Sequence, residues 1–180
     1  MARAALNHWQ FSGVGLIQSG AAFSVFDSNA GSAYGILSSE VRAQLAPGGH
    51  PSTHGSLYSR VIHGYLDPNA FTRAPEVAYG TSIADEDFGN SGVGLARGPG
   101  QHSMDFAVER SFPAGETRNF VLRAEAFNLT NTPQFGLPNN SLGYGNPLAP
   151  AVASPSFGLI TSEQGGPHPR VVQLAAKFNF

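Results

Sequence analysis

The stretch that decides the fold reads Gln101-His-Ser-Met-Asp-Phe-Ala-Val-Glu-Arg-Ser-Phe112, Pro113-Ala-Gly-Glu116, Thr117-Arg-Asn-Phe-Val-Leu-Arg-Ala-Glu-Ala-Phe-Asn128. Apolar residues occupy every second position on both sides of the short Pro-Ala-Gly-Glu segment. Successive side chains of a β-strand point to opposite faces, so this period of two predicts strands near 101–112 and 117–128. Four intervening residues that include Pro and Gly predict a tight antiparallel turn between them.

Two further segments alternate in the same way. One lies near 6–26, where Trp9, Phe11 and Ile17 share a face, and the other lies near 170–180. The best helix candidate is the short segment 38–45, which is followed by Pro47-Gly-Gly49. The sequence therefore predicts an all-β chain of about four antiparallel strands.

The connections between these strands are very unequal in length. Long segments at 27–100 and 129–169 are rich in Gly, Pro, Asn and Ser, whereas the middle turn has four residues. Structureless loops this long are uncommon inside compact domains. Short turns at one end and long loops at the other are typical of bacterial outer-membrane barrels, with turns in the periplasm and loops outside the cell. The loop lengths therefore favour a segment of a transmembrane β-barrel with two extracellular loops, while a soluble β domain stays open.

The charge and cysteine content of the sequence argue against several classes of site and partner. Charged residues make up 12% of the 180 residues, about half of the roughly 25% in ordinary soluble domains. The net charge is −2 and the cations do not cluster, which argues against a nucleic-acid partner. The chain has no cysteine, which excludes disulfides, zinc ribbons and thiol nucleophiles.

The alternation assigns the strand residues to two environments. In a barrel, the apolar face meets lipid and the polar face lines a wet lumen. The predicted lipid-facing residues are Trp9, Phe11, Phe106, Val108, Phe120 and Leu122, and the predicted lumen-facing residues are Asp105, Glu109, Arg123, Glu125, Gln173 and Lys177. A half-buried sheet of a soluble β-sandwich binding module would alternate in the same way, so that alternative stays open on the pattern alone.

The last strand carries a more specific pattern. Its apolar face runs Val172, Leu174, Ala176, Phe178 and Phe180. Alternate apolar residues that end on a terminal aromatic resemble the C-terminal signature of bacterial outer-membrane barrels. The resemblance implies that the barrel-assembly machinery reads this strand.

A longer resemblance covers almost the whole chain. The segment Leu122-Arg-Ala-Glu-Ala-Phe-Asn-Leu-Thr-Asn-Thr-Pro-Gln-Phe-Gly-Leu-Pro-Asn139 is similar to the end of Oar-like TonB-dependent receptors. Upstream blocks of that family are similar to Tyr65-Leu-Asp-Pro-Asn-Ala-Phe71 and Phe88-Gly-Asn-Ser-Gly92. Further matching blocks lie at 18–25, 98–108, 157–162, 169–173 and 177–180.

The resemblance implies a large outer-membrane receptor that takes up a bulky ligand through a barrel of about 22 strands. Such receptors also have a signal, a regulatory β domain, a plug and an energy-coupling box, none of which we find in these 180 residues. The resemblance therefore implies a truncated product, about four antiparallel strands from the C-terminal end of a transmembrane β-barrel with two long loops, that forms part of the barrel wall. The implied partners are outer-membrane lipid, the barrel-assembly machinery, the rest of the barrel, the plug and, through the missing part, an energy-coupling protein.

The sequence gives little support for a metal site, a phosphate-binding site or a catalytic site. His50 and His54 have a helical spacing, but Pro51 and the neighbouring glycines disfavour a helix that presents both to a metal. The acidic run at 85–87 lacks the spacing of an EF-hand loop. Neither a phosphate-binding glycine motif nor a nucleophile elbow is present. We expect no enzyme activity and no cofactor.

Overall fold

The computed structural model describes residues 7–27, 41–72, 89–143, 152–165 and 169–180. The strands in these ranges are β1 (Trp9–Gln18), β2 (Ala22–Phe23), β3 (Phe26–Asp27), β4 (Val41–Arg42), β5 (Gln44–Leu45), β6 (Phe71–Thr72), β7 (Ala96–Arg97), β8 (Gln101–Pro113), β9 (Asn119–Phe127) and β10 (Val171–Asn179). Helix α1 spans Leu57–His63. The chain divides into two compact units. The sheet unit comprises Met1–Ser19, Gly100–Gln134 and Glu163–Phe180, and the loop unit comprises Gly20–Pro99 and Phe135–Ser162.

The sheet unit contains one antiparallel sheet of four strands in the order β1-β8-β9-β10. This is the predicted all-β arrangement, and β8, β9 and β10 begin and end within two residues of their predicted limits. A tight turn joins β8 to β9, as predicted. It is closed by a hydrogen bond from the Ala114 N–H to the Arg118 carbonyl, 2.8 Å long, and Gly115 adopts a φ of 93° that suits glycine.

The first strand is shorter than predicted. β1 ends at Gln18, whereas the alternation predicts a strand that continues to residue 26. β8, its neighbour, begins only after Gly98-Pro99-Gly100, where Pro99 has no N–H to donate to a ladder. Ala22–Phe23 instead forms a separate two-stranded sheet with Ala96–Arg97. The predicted start at residue 6 lies outside the described residues.

The loop unit holds three two-stranded sheets, in the pairs β2-β7, β3-β4 and β5-β6. The helix predicted at 38–45 is wrong for its described part, because Val41–Arg42 and Gln44–Leu45 are strands. Val41 and Ala43 are both buried, and the Ala43 N–H donates to the Val25 carbonyl at 3.0 Å. Burial at alternate positions requires extended backbone, and this long-range contact overrides the weak local helix signal.

Helix α1 was not predicted from the sequence, although its caps are visible there. The Ser56 hydroxyl accepts a hydrogen bond from the Ser59 N–H at 3.3 Å, which satisfies a free donor of the first turn. At the other end, Gly64 has a φ of 114° and its N–H donates to the Arg60 carbonyl. None of the helix residues is buried, so the apolar stripe that normally reveals a helix is missing.

A small apolar core holds the loop unit together. Its members are Phe23, Val25, Ala43, Leu66, Ala70, Phe71, Ala96, Leu142 and Phe157. The rings of Phe71 and Phe157 meet edge to face with their centroids 5.6 Å apart. Gly158 has a φ of 72°, and a Cβ there would lie 2.8 Å from the Leu66 carbonyl oxygen, so glycine permits this close approach. The segments 27–100 and 129–169, predicted as loops, thus contribute to a compact unit.

Candidate functional site

The register of the four-stranded sheet gathers the predicted lipid-facing residues on one side. Directly paired residues share a face, and the pairs Phe11–Val108, Arg110–Leu122 and Leu122–Ala176 link all four strands. We call this side the apolar face; its members are Trp9, Phe11, Gly13, Gly15, Ile17, His102, Met104, Phe106, Val108, Arg110, Phe112, Phe120, Leu122, Ala124, Ala126, Val172, Leu174, Ala176 and Phe178, followed by Phe180. The residues of the predicted C-terminal signature therefore lie on the same face as the predicted lipid contacts.

The apolar face has a height that suits a bilayer. On β8, the uncharged run Met104, Phe106 and Val108 is bounded by His102 and Arg110, about 26 Å apart along an extended strand. A strand tilt of roughly 40° reduces this to about 20 Å, close to the apolar band of outer-membrane barrels, about 25 Å tall. Most of its side chains are exposed, with Leu174 at 81% and Ile17 at 91%. Whether this face meets lipid stays a prediction.

Aromatic rings collect at one end of the apolar face, next to the tight turn. Trp9 stacks on Phe11 with ring centroids 6.2 Å apart, and the cross-strand pair Phe112–Phe120 has the same separation. Phe178 lies opposite Phe120 in the register and stacks on Phe180. Rings at the strand ends are typical of the aromatic girdles at membrane interfaces, and here they mark the turn end.

The opposite side of the sheet, which we call the polar face, gathers all six predicted lumen-facing residues: Asp105, Glu109, Arg123, Glu125, Gln173 and Lys177. The Arg123 guanidinium lies 3.6 Å from the Glu109 carboxylate and donates from Nε to Glu125 Oε1 at 2.9 Å. Gln173 donates to the other oxygen of Glu125. These contacts join three charged residues of β8 and β9, Glu109, Arg123 and Glu125, into a charge ladder, which Gln173 of β10 extends by a hydrogen bond.

Asp105 has a structural role that the sequence did not reveal. One of its carboxylate oxygens accepts a hydrogen bond of 2.8 Å from the Asn128 N–H. Asn128 has a φ of 47°, its side-chain oxygen accepts from the Thr132 N–H, and its side-chain amide donates to the Thr132 carbonyl. The Asn-Leu-Thr-Asn-Thr segment is therefore a tight reversal that ends β9, which gives a physical reason for several residues of the motif quoted above.

An open cavity of about 490 Å³ lies at the loop end of the polar face. The lining residues are Leu16, Gln101, Ser103, Asp105, Phe127, Asn128, Gln134, Gln164, Pro169 and Val171. Gln134 is buried and donates to the carbonyls of His102 and Thr132 at 2.7 and 3.2 Å. Among the described residues, no hydrogen-bond donor reaches its Oε1 atom. Sequence reasoning missed this cavity because it joins segments that lie far apart along the chain.

The described residues contain no group of three or more His, Cys, Asp or Glu that could hold a metal ion. His50 and His54 line an open cavity of the loop unit beside Asp67 and Asn69. The acidic run at 85–87 lies outside the described residues. None of the helical segments in the described ranges has the length and hydropathy that a bilayer crossing requires.

Comparison with known proteins identifies the family. The family model of the outer membrane beta barrel domain matches residues 1–173. Comparisons with curated proteins and with solved structures each give no significant match. The match covers nearly the whole chain and agrees with the two-faced antiparallel sheet, so this chain belongs to the outer membrane beta barrel domain family and is located in the outer membrane.

Proposed function

We propose that this chain forms part of the wall and the external loops of a TonB-dependent receptor that takes up a ligand across the outer membrane. The observation that carries the proposal is the polar face, where a charge ladder and an open cavity lie on the side opposite the apolar face. A wet lumen that conducts or holds a ligand needs such a surface. The Oar-like motifs at 98–108 and 122–139 support the receptor rather than a small closed barrel.

The loop unit also supports this assignment. It has a buried apolar core of its own, so it suits an aqueous environment outside the membrane. Receptors that recognise a ligand at the cell surface carry long extracellular loops, whereas periplasmic turns are short. On this proposal the loop unit is extracellular and the 114–118 turn is periplasmic.

Each edge and face of the sheet indicates a partner that would contact it. β1 and β10 are the two edge strands, so each has one neighbour in the sheet. In hydrocarbon, backbone groups at an edge need partners, which the rest of the barrel would supply. Lipid covers the apolar face, the plug contacts the polar face, and the energy-coupling protein acts through the plug. The barrel-assembly machinery recognises the apolar pattern of β10.

This function involves neither catalysis nor a cofactor nor a nucleic acid. The arrangement of Arg123 between two carboxylates suits a lumenal charge ladder better than an acid–base pair. The soluble β-sandwich alternative requires a second sheet packed on the apolar face. Leu174 and Ile17 are exposed, so the structure does not support a second sheet on this face. The match to the outer membrane family does not support a soluble module either.

Photo-cross-linking in the outer membrane of the source cells tests the receptor proposal. A photoreactive amino acid replaces Gln173 on the polar face or, as the matched control, its neighbour Leu174 on the apolar face. We expect position 173 to form adducts with a plug polypeptide and position 174 to form adducts with lipid. Adducts with neither plug nor other protein at position 173 would indicate an open pore and contradict a receptor.

The proposed role of β10 in assembly has its own test. In a full-length receptor that carries this chain, deletion of Phe180 should lower the amount of receptor in the outer membrane. An equally large aromatic placed elsewhere on β10 should not restore that amount, because the machinery would read the terminal position. Unchanged insertion after the deletion would refute recognition of this residue.

A further inference from the structure

The cavity at the loop end of the polar face has the size of a ligand site. Its volume of about 490 Å³ falls within the range of small-molecule pockets, roughly 300–1,000 Å³. All of its lining residues belong to the sheet unit. Leu16 of β1 pairs with Ser103 of β8, and Phe127 of β9 pairs with Val171 of β10. Directly paired residues share a face, so all four strands contribute side chains to one wall of the cavity.

Asp105 is the one charged residue among the lining residues that the structure describes. One of its carboxylate oxygens accepts from the Asn128 N–H, which is a neutral donor. Arg123, a cation of the same face, is instead paired with Glu109 and Glu125. A carboxylate in a partly enclosed cavity makes the local potential negative, which favours a positively charged ligand.

Gln134 adds a second hydrogen-bond acceptor to the cavity wall. It is more than nine-tenths buried, and its Nε2 donates to the carbonyls of His102 and Thr132. Within the described part of the chain, its Oε1 receives no hydrogen bond. A buried acceptor without a donor costs free energy. Together with the Asp105 carboxylate, this atom therefore suits a ligand group that brings hydrogen-bond donors.

Apolar side chains make up much of the remaining wall. Leu16, Phe127, Pro169 and Val171 line the cavity, and Phe127 is exposed. Apolar side chains favour an apolar ligand body, and the face of an aromatic ring attracts a cation. A neutral polyhydroxylated ligand such as a sugar could also bond to the polar groups. It would leave the Asp105 charge without a counter-charge while it displaced the water around that charge, which is unfavourable.

We propose that this cavity binds a small organic amine, whose ammonium group pairs with the Asp105 carboxylate and whose apolar body packs on Phe127 and Val171. A primary ammonium carries three N–H donors, so it can bond to the carboxylate and to further acceptors at once. Hydrogen bonds between charged groups are roughly twice as strong as neutral ones, so charge should dominate the selection. The inference rests on the proposed function, which opens the polar face to an aqueous lumen, and it names the ligand class of that lumen.

Two probes that differ in charge test the site. The full chain in neutral detergent micelles is titrated calorimetrically with phenethylamine or with phenethyl alcohol, and titrations into empty micelles are subtracted. Phenethylamine should bind at least about tenfold more tightly, because only its ammonium can pair with the carboxylate. Its affinity should fall as salt rises. Equal affinities, tighter binding of the alcohol, or no heat beyond that of empty micelles would overturn the proposal.

A matched pair of variants locates the charge that selects the amine. Asp105→Asn removes the charge but keeps a side-chain oxygen that can accept from the Asn128 N–H. It should abolish the preference for phenethylamine. Glu116→Gln removes the same charge from the tight turn, away from the cavity, and should keep the preference. Hydrogen exchange of β9 verifies that both variants fold. A preference that survives in Asp105→Asn would overturn the site, and the two probes on the unaltered chain decide the question if this variant does not fold.

The cross-linking at position 173 tests the receptor separately from the amine site. Plug adducts without amine selectivity would overturn the amine site and leave the receptor proposal standing. Amine selectivity without plug adducts would support the site and contradict the receptor.

Discussion

Among the described residues, the loop unit has a buried apolar core and the sheet unit does not. In the loop unit Leu142, Val25 and Leu66 are buried to 1% exposure or less, inside a core that the unit forms alone. In the sheet unit Leu174 and Ile17 remain more than four-fifths exposed. Both units contain large apolar side chains, so hydrophobicity alone does not explain the difference.

If the apolar face meets lipid, as predicted, the difference follows from the solvent of each unit. Burial of a large apolar side chain away from water contributes roughly 1.5–3 kcal/mol, and the loop unit obtains this within itself. A sheet in the outer membrane leaves its apolar face exposed because lipid, rather than protein, covers it.

The largest effect should follow the removal of detergent. The purified chain should aggregate or form large oligomers in water, because the sheet exposes an apolar face and two edge strands. In detergent it should remain dispersed. Size-exclusion chromatography measures both conditions. A sharp monomeric peak without detergent, together with cooperative unfolding, would show that the sheet does not need lipid.

Truncation of Leu66 should destabilise the loop unit while leaving the sheet intact. Leu66→Ala creates a cavity in the small core and should cost about 2–5 kcal/mol of its unfolding free energy. Hydrogen exchange in detergent should show faster exchange in 41–72 and unchanged exchange in β8 and β9. Ile62→Ala, at an exposed position of α1, is the control and should have little effect. Equal loss of protection in both units would indicate a single cooperative unit.

A charge on the apolar face should be costly only in lipid. Leu174→Arg lies in the middle of β10 and should lower the stability in vesicles by about 2–4 kcal/mol. Gln173→Arg, one residue away on the polar face, can pair with Glu125 and should be nearly neutral. Denaturant titration followed by Trp9 fluorescence measures the two variants. Similar losses for both would mean that the two faces meet the same environment.

The smallest effect concerns the charge ladder of the polar face. The Arg123 side chain is 45% exposed, so its ion pairs with Glu109 and Glu125 are screened by solvent. Arg123→Gln should cost no more than about 1 kcal/mol in the same titration. The cost should shrink at high salt, as expected for exposed charges. A larger cost, insensitive to salt, would mean that the ladder is shielded from water.

Local alternation was sufficient to predict the sheet. Each strand residue points to the side opposite its neighbours, so the assignment of Phe106 and Val108 to one face and of Asp105 and Glu109 to the other needs no knowledge of the partner strand. The Pro-Ala-Gly-Glu segment likewise indicated the hairpin, since a turn is a local structure. The structure adds the register, which aligns the two faces across all four strands.

The loop unit was not predictable in the same way. Its strands are two residues long, too short for a period to be visible, and α1 lacks a buried stripe. The alternate burial of Val41 and Ala43 excludes the helix predicted at 38–45, and it depends on a hydrogen bond to Val25, which lies far away in sequence. The hydrogen bond from the Asn128 N–H to the Asp105 carboxylate likewise joins residues that lie far apart in sequence.

The strand class, the hairpin and the two faces were thus predictable from the amino-acid order alone, because they follow from the local geometry of an extended backbone. Tertiary contacts were needed to set where β1 ends, how the long segments form a core and where a cavity opens on the polar face. Those features arise from contacts such as Phe71 with Phe157 and Gln134 with His102. Such contacts join residues that are distant along the chain, and no local pattern records which of the many possible pairs packs best.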